Sequence, residues 1–249
     1  MLSVVSPLYR SRTQVGDFLG RLRSTLDDLD TAWEIVLVDD SCPDESGLAA
    51  ARSATADSRT RVVRLDRNVG QVAAVIIGLG CARGDVVVVL DADLQDQPED
   101  VAVLFNRLAA DGSDAVAAGR SGRYTTRGRR ATAGLFRTVR SALTLGRVPR
   151  DAGLFLAARR EVIDRVLALD DPEVHLVSGL ARVGATMSSV PVERQPRPVG
   201  SSGYSWPKRI SIAAGALAAV TPLYPILRRQ RRRSWSPPAL GWLTEERLP

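Results

Sequence analysis

Residues 86–99, VVVVLDADLQDQPE, decide the fold that we expect for this chain. Four valines and a leucine in succession are typical of a strand that is buried on both faces, as in the middle of a parallel sheet. Two aspartates follow, so the strand must emerge from the core at Asp91. The sequence therefore predicts that these acids lie at the carboxyl end of a central strand, where open α/β sheets bind their ligands.

The spacing of the two acids predicts a metal site. Residues two apart in an extended backbone point to the same side, so Asp91 and Asp93 can converge on one point with Gln95 just beyond. Mg²⁺ and Mn²⁺ prefer such oxygen ligands and are held by one or two carboxylates, while substrate phosphates complete the shell. Taken alone, the Asp-x-Asp pattern fits a solvated loop equally well, so other parts of the chain must decide.

Composition narrows the class of protein and of partner. The chain has 249 residues, of which 45% are hydrophobic and 25% charged, as expected for one large α/β domain. Its net charge of +6 comes almost wholly from arginine, since Lys208 is the single lysine, and it favours an anionic partner such as a nucleotide, a lipid phosphate or a membrane surface. Nucleic acid is disfavoured because the few aromatic residues do not interleave with the arginines.

The cysteines and the N-terminus indicate the compartment. Cys42 and Cys81 show no Cys-x-x-Cys spacing, so we expect neither a disulfide framework nor a zinc site, and a reducing cytoplasm fits. Met1 runs directly into an apolar strand, so we expect no signal peptide.

Apolar periodicity predicts alternating strands and helices through the first half of the chain. The predicted strands cover residues 2–6, 34–38, 61–65, 86–90 and 114–118, and the predicted helices cover 14–29, the residues after Glu45, 72–83 and the residues after Pro98. This alternation is the signature of right-handed βαβ units. It predicts an α/β fold with a Rossmann-like, mostly parallel central sheet and helices on both faces. A strand over 153–158, helices over 160–169 and 174–183 and a strand over 188–192 follow.

Two later segments differ in composition. Residues 119–150 hold nine arginines and no carboxylate, which predicts an anion-binding stretch with a helix over 132–145, with a solvated charged face as the alternative. Residues 206–233 contain an apolar run broken by Pro222 and Pro225 and followed by five arginines. A spanning helix needs about 20 apolar residues, so an interfacial amphipathic segment is expected, with packing against the domain as the alternative. We expect residues 1–205 to form the main domain and 234–249 a flexible tail.

Five stretches together resemble a known family. They are VVSPLY (4–9), EIVLVDDSCPDES (34–46), RLDRNVGQVAAVIIGLGCARGDVVVVLDADLQDQPED (64–100), DAGLFLAARREV (151–162) and RPVGSSGYS (197–205). They are similar to inverting GT-A glycosyltransferases of family 2 that transfer a sugar from a nucleotide to a polyprenyl phosphate. That group includes dolichol-phosphate mannosyltransferases and undecaprenyl-phosphate aminoarabinose transferases. Gln71 and the late Arg-x-x-Gly-x-Ser-x-Tyr resemble the undecaprenyl-phosphate branch.

The resemblance implies a role for each matching residue. The implied nucleotide-binding residues are Pro7, Tyr9, Asp39, Asp40 and Asp91. The implied metal and diphosphate ligands are Asp91, Asp93 and Gln95, and the implied catalytic residues are Asp93, Arg120 and Arg130. The implied acceptor loop contains Arg197, Ser202 and Tyr204. The chain departs from the family at Arg10 and Ser11, where asparagine or glutamate is common, and at Gly203, where lysine often stands. It also ends where many relatives continue into transmembrane helices.

The functional hypothesis is transfer from UDP- or GDP-sugar to a polyprenyl phosphate, with Mg²⁺ or Mn²⁺ as cofactor, at the cytoplasmic face of the membrane. A phosphate monoester is already a nucleophilic dianion at neutral pH, which suits a chain whose single histidine is His175. The alternative is a soluble glycosyltransferase acting on a hydroxyl acceptor, which needs a base such as Asp151, Asp170 or Glu173. A catalytically silent nucleotide-binding scaffold is a more distant alternative.

Overall fold

A computed structural model describes residues 1–55, 57–121, 144, 146–171, 173–195 and 238–243. The strands are β1 (Leu2–Leu8), β2 (Trp33–Asp39), β3 (Thr60–Leu65), β4 (Val86–Val89), β5 (Ala115–Ser121), β6 (Leu156–Arg159), β7 (Met187–Glu193) and β8 (Leu240–Leu243). The helices are α1 (Val15–Asp27), α2 (Ser46–Ala54), α3 (Gln71–Cys81), α4 (Asp100–Ala110), α5 (Arg160–Leu167) and α6 (Leu176–Arg182).

The strands form one eight-stranded sheet in the order β7-β5-β6-β4-β1-β2-β3-β8. The pairs β1–β2, β1–β4, β2–β3 and β5–β7 are parallel, whereas β6 runs antiparallel between β4 and β5. The prediction of a mostly parallel central sheet is confirmed. The chain leaves β1 toward β2 and β3 and then crosses to the other side of β1 with β4. This reversal is the topological switch point at which α/β sheets bind ligands.

Helices cover both faces of the sheet, as the alternating pattern predicts. On one face α1, α2 and α4 bury side chains such as Phe18, Leu22 and Leu104 against the strands. On the other face α3, α5 and α6 contribute side chains such as Leu79 and Ile163. The strands β1 and β2, between these two layers, are buried along their whole length because both of their faces are covered.

Two consecutive arginines at the end of β6 stabilise helices on opposite sides of the sheet. The Arg159 guanidinium donates to the backbone carbonyls of Ser113 and Leu108, next to the end of α4. The Arg160 guanidinium donates to the carbonyls of Ala82 (2.7 Å) and Gly84 (3.1 Å), next to the end of α3. A cation is favourable at a helix C-terminus, where carbonyls lack partners within the helix.

The C-terminal residues differ from the expectation. The predicted flexible tail is wrong for residues 240–243, which form β8 and pair antiparallel with β3. The Trp242 ring lies under the Arg61 guanidinium, with 4.9 Å between the guanidinium carbon and the ring centroid. This short strand covers an edge of β3 that would otherwise expose unpaired backbone groups. Four residues after a proline pair carry no clear strand pattern, so the sequence did not indicate it.

The structure shortens one predicted strand and does not describe two other predicted segments. The predicted strand over 153–158 begins only at Leu156, because a turn in which Ala152 N–H donates to the Pro149 carbonyl precedes it. The predicted helix over 132–145, apart from Thr144, and the segment 206–233 lie outside the described residues. Among the helices that the structure describes, none combines the length and the apolar character needed to cross a membrane.

The capping role of Arg160 predicts a stability effect. We expect Arg160→Met to lower the free energy of unfolding by about 1–3 kcal/mol, because buried carbonyls lose a charged hydrogen-bond donor. Arg107→Met removes an exposed ion pair with Asp111 instead, and should lower the free energy of unfolding much less. Urea denaturation of both variants checks the difference, and equal losses would contradict the capping role.

Candidate active site

The carboxyl ends of β1, β2, β3 and β4 meet at one edge of the sheet. In the shared register Leu8 lies opposite Asp39, and Val5 lies opposite Val89. Two residues beyond that second pair, the chain reaches Pro7 on β1 and Asp91 after β4. The residues that follow these strands are therefore neighbours although they are far apart in sequence.

Asp39 ends β2 as a buried carboxylate. It is 1% exposed, its Oδ1 accepts a hydrogen bond from the Cys42 backbone N–H (3.0 Å), and Arg64 Nε lies 3.4 Å from its Oδ2. A side chain at Gly47 would collide with this carboxylate, so glycine is needed there to make room for it. Burial raises the pKa of Asp39, because the charged form is poorly solvated in this position. The protein thus retains a costly acid at this edge.

Asp40 anchors the loop that precedes α3. It is 3% exposed, and its carboxylate accepts hydrogen bonds from the Asn68 amide (3.0 Å) and from the backbone N–H groups of Val69 (2.7 Å) and Gly70 (2.8 Å). Gly70 has φ 89°, a conformation that side chains other than glycine disfavour. Asp40 therefore fixes the start of α3 relative to the end of β2.

Cys42 and its neighbours join the loops that follow β1 and β2. The Cys42 Sγ accepts the Arg10 backbone N–H (2.8 Å) and donates to Asp44 Oδ1 (2.7 Å). Burial raises the pKa of the Cys42 thiol, so it remains protonated and can donate. Beyond this junction Tyr9 is 49% exposed, and the guanidinium carbon of Arg10 lies over its ring, 5.4 Å from the ring centroid. The junction holds an accessible aromatic ring beside the buried acids.

The residues after β4 form a tight turn that carries the predicted metal ligands. The Gln71 amide Nε2 donates to Asp91 Oδ1 (2.6 Å), and the Gln95 backbone N–H donates to Asp93 Oδ1 (3.1 Å). Leu94, between them, adopts the left-handed conformation (φ 57°). The turn is also tied to the segment after β7, because the Gln195 N–H donates to the Gln95 carbonyl (2.9 Å).

The donor set at this turn fits a hard divalent cation. Asp91 and Asp93 are both partly buried, and each has one oxygen that accepts a neutral N–H. A carboxylate offers about four lone-pair sites, so a carboxylate that accepts hydrogen bonds can also hold a cation. Within the described ranges no group of three or more His, Cys, Asp or Glu side chains converges to hold a metal. Two carboxylates at most would then come from this turn, a set that Mg²⁺ and Mn²⁺ accept when substrate phosphates supply further oxygens.

The structure brings together most of the residues singled out from the sequence. Those placed at this edge are Pro7, Tyr9, Asp39, Asp40, Asp91, Asp93 and Gln95. Arg120 lies in β5 opposite Val192, but its side chain is outside the described part of the chain. Arg130, Arg197, Ser202 and Tyr204 also lie outside the described residues. Sequence reasoning missed the supporting roles of Cys42 and Gln71, which depend on contacts between distant loops.

The other end of β2 carries a second buried carboxylate, Glu34, whose charged form is stabilised by its surroundings. Glu34 accepts hydrogen bonds from the Ser3 hydroxyl (2.7 Å), the Arg83 backbone N–H (2.6 Å) and the Arg61 guanidinium (2.6 Å). Burial alone would raise the pKa of Glu34, but these donors and the charge of Arg61 lower it overall. Glu34 therefore joins β1, β2 and β3 at the edge opposite the candidate site.

Comparison with known proteins identifies relatives of the whole fold. A family model described as Glycosyl transferase family 2 matches residues 3–167. The undecaprenyl-phosphate 4-deoxy-4-formamido-L-arabinose transferase of Salmonella choleraesuis is 31% identical over an alignment of 223 residues, and the match covers 88% of this chain and 67% of that protein. The protein of the same name from Salmonella paratyphi B matches with the same identity and coverage.

Solved structures show the same fold at lower identity. The glucosyl-3-phosphoglycerate synthase of Mycobacterium tuberculosis, crystallised with Mn²⁺, UDP and phosphoglyceric acid, matches with a TM-score of 0.62 and 20% identity, over 88% of this chain and 77% of that one. The same enzyme with Mg²⁺ and UDP matches with a TM-score of 0.61 and 20% identity, over 88% and 78% of the two chains. The predicted GT-A fold is confirmed.

The two carboxylates of β2 predict opposite responses to neutralisation. Asp39→Asn should raise the free energy of unfolding at neutral pH, because it removes a charge that burial penalises. Glu34→Gln should lower it by about 1–3 kcal/mol, because buried donors lose a charged acceptor.

The pH dependence follows from the direction of each pKa. The pKa of Asp39 is raised above 3.8, so its cost is present above the folded-state pKa and is lost as the pH falls toward 3.8. The pKa of Glu34 is lowered from 4.5, so its stabilisation is present above 4.5 and is lost as the pH falls through the folded-state pKa. For each variant, the difference in free energy of unfolding from the original chain should shrink on acidification. Denaturant titrations over a pH series measure it. Effects of the same sign would contradict this account.

Proposed function

The chain belongs to glycosyl transferase family 2 and is a glycosyltransferase, and from this premise we propose that it moves a sugar from a nucleotide donor to a polyprenyl phosphate with the help of Mg²⁺ or Mn²⁺. The observation that carries the proposal is the meeting of Asp39, Asp40, Asp91 and Asp93 at one edge of the sheet. The 31% identity to a transferase named for undecaprenyl phosphate supports the choice of acceptor.

The donor half of the proposal rests on the residues after β1, β2 and β4. The exposed Tyr9 ring offers a stacking surface for a base. Asp39 and Asp40 offer carboxylate oxygens for an imino N–H, which both uracil and guanine carry. UDP was crystallised with Mn²⁺ or Mg²⁺ in an enzyme of the same fold. Asp91, Asp93 and Gln95 would hold the cation, which supplies charge compensation for a leaving diphosphate.

The acceptor half rests on the chemistry of a phosphate monoester. Its second pKa is about 6, so at neutral pH it is mostly a dianion and needs no general base. Burial lowers the pKa of His175, which favours a neutral imidazole rather than a cation. An acceptor oxygen forms a bond to the anomeric carbon while the bond from that carbon to the diphosphate oxygen breaks. The electron pair leaves with the nucleoside diphosphate, and the configuration inverts.

Five further residues complete the proposed site, and the structure does not describe their side chains. Arg120 and Arg130 would bring the two anionic substrates together, and Arg197, Ser202 and Tyr204 would contact the acceptor. The basic, apolar segment 206–233 would place the enzyme at the cytoplasmic face of a membrane. Residues 1–205 would then form the catalytic domain.

A second candidate function is transfer to a hydroxyl acceptor. It is favoured by the position of Asp151. The Asp151 carboxylate accepts a hydrogen bond from the Ser189 hydroxyl (3.3 Å) and lies against Gly119, where any side chain would collide with it. Gly119 belongs to β5, which runs in the same direction as β4. Of the candidate bases, Asp151 is therefore the one packed beside a strand that ends at the edge of the candidate site, whereas Asp170 and Glu173 follow α5.

The metal assignment predicts the effect of two substitutions. Asp91→Ala and Asp93→Ala should each lower metal-dependent sugar transfer by at least about 100-fold, because the charge of the leaving diphosphate is no longer compensated. Asp164→Ala, on the exposed side of α5, should leave transfer unchanged. Initial rates measured over an Mn²⁺ series check the prediction, and full activity of both site variants would refute the assignment.

Asp151 separates the two candidate functions. With a phosphate acceptor, Asp151→Asn should keep transfer within about 10-fold of the original rate because no base is required. With a hydroxyl acceptor the same variant should lose about 100- to 10,000-fold. Rates of the variant with each acceptor class give the answer, and a large loss with the phosphate acceptor would argue against base-free transfer.

A further inference from the structure

Gln71 contacts a proposed metal ligand from a different part of the chain. It is the first residue of α3, and its side-chain amide Nε2 lies 2.6 Å from Asp91 Oδ1. The short distance marks a strong, charge-assisted hydrogen bond. The residue that precedes it is Gly70, which has no side chain to cap the helix. The Gln71 amide donates its hydrogen bond to Asp91. The side chain thus serves the turn after β4.

Asp40 fixes the backbone from which Gln71 extends. Its carboxylate accepts the N–H groups of Val69 and Gly70, the two residues immediately before Gln71. The Asn68 amide adds bonds to the Asp40 carboxylate and to the Asp40 carbonyl, both at 3.0 Å. A continuous series of contacts therefore runs from the end of β2, through the loop of residues 68–70, to the turn after β4.

The chemical nature of Gln71 suits the orientation of a metal-binding carboxylate. An arginine or lysine in its place would compensate the charge of Asp91 and so compete with a cation. A neutral amide orients one oxygen and leaves the negative charge for the metal. Groups that hydrogen-bond to metal ligands in this way affect metal affinity by about 10- to 100-fold.

We infer that Gln71 is a positioning residue for Asp91. Asp40 in turn holds the backbone of Gln71 in place through the loop of residues 68–70. The inference rests on the proposed function, since it takes Asp91 as a metal ligand. It deepens that function by linking the strand end that is proposed to bind the nucleotide to the turn that is proposed to bind the metal. A shift of the Asp40 loop would then change the affinity of the metal site.

The test measures Mn²⁺ affinity rather than turnover. Free Mn²⁺ is followed by electron paramagnetic resonance during titration of the original chain, of Gln71→Met and of Gln14→Met, each without nucleotide and with UDP. Gln71→Met keeps the length of the side chain and removes the donor, and we expect its Mn²⁺ affinity to fall by about 10- to 100-fold. Gln14 is a matched control because it also stands beside a helix start, where its side chain makes no cap hydrogen bond. Gln14→Met should bind like the original chain.

A double-mutant cycle tests the role of Asp40. Asp40→Asn removes charge and at least one acceptor from the loop, so alone it should weaken Mn²⁺ binding without nucleotide. If Asp40 acts through Gln71, adding Asp40→Asn to Gln71→Met should cost little further affinity, because residues in one network are not additive. Fully additive losses would overturn the coupling between Asp40 and Gln71.

The outcomes distinguish this inference from the proposed function. Undiminished Mn²⁺ affinity of Gln71→Met, beside clear binding by the original chain, would overturn the inference and leave the proposed function standing. Absence of Mn²⁺ binding by the original chain, even with UDP, would overturn both. Thermal unfolding without metal shows whether the variants fold, and Gln71→Ala replaces the Met variant if the latter is unstable, because alanine suits a helix start.

Discussion

The position of β1 between β2 and β4 is the constraint on which the candidate site depends. Leu2 lies opposite both Trp33 and Val86, so the three parallel strands start together. They therefore reach the same edge of the sheet within a few residues of one another. Polar residues stand at or just after the end of each strand. Shifting either pairing by one residue would turn a whole strand's side chains to the other face. Close packing of both faces against the helices opposes such a shift and so holds the register that brings the acids of the site together.

The two ends of β2 carry buried carboxylates of two kinds. Glu34 receives hydrogen bonds from three separate segments, and its charge stabilises the edge at which the strands begin. Asp39, at the other end of the same strand, is buried with a raised pKa and is retained despite its cost. Active sites are expected to carry such poorly compensated groups, since ligands supply the missing partners. The contrast supports the placement of the donor site beside Asp39 rather than at the opposite edge.

Local sequence was sufficient where one segment determines its own structure. The unbroken run of valines before Asp91 predicts β4, and the helical stripe around Phe18 and Leu22 predicts α1, because the burial of each segment is visible in its own apolar pattern. The family resemblance added the roles of the acids. The capping contacts of Arg160 were not predictable, since a chain so rich in arginine gives no local sign of which one lies against carbonyls.

Contacts between distant segments account for the rest of what the sequence did not show. Gln71 and Asp91 are 20 residues apart and meet only because α3 leads the chain away from this edge of the sheet and β4 returns it there. The strand β8 pairs with β3 across most of the chain, and its four residues have no period of their own. The sequence located the acids of the site, whereas their supporting contacts required the three-dimensional structure.

A matched pair of acceptors tests most directly the proposal that the acceptor is a lipid phosphate. The purified protein would receive pooled UDP-, GDP- and dTDP-sugars with Mn²⁺ or Mg²⁺, and either a polyprenyl phosphate or the corresponding free polyprenol in detergent. Mass spectrometry of the lipid fraction should show a glycosyl-phosphoryl-polyprenol with the phosphate and no product with the alcohol, and chelation of the metal should abolish it. Absence of any lipid product, with nucleotide sugar consumed only when soluble hydroxyl acceptors are added, would contradict the account.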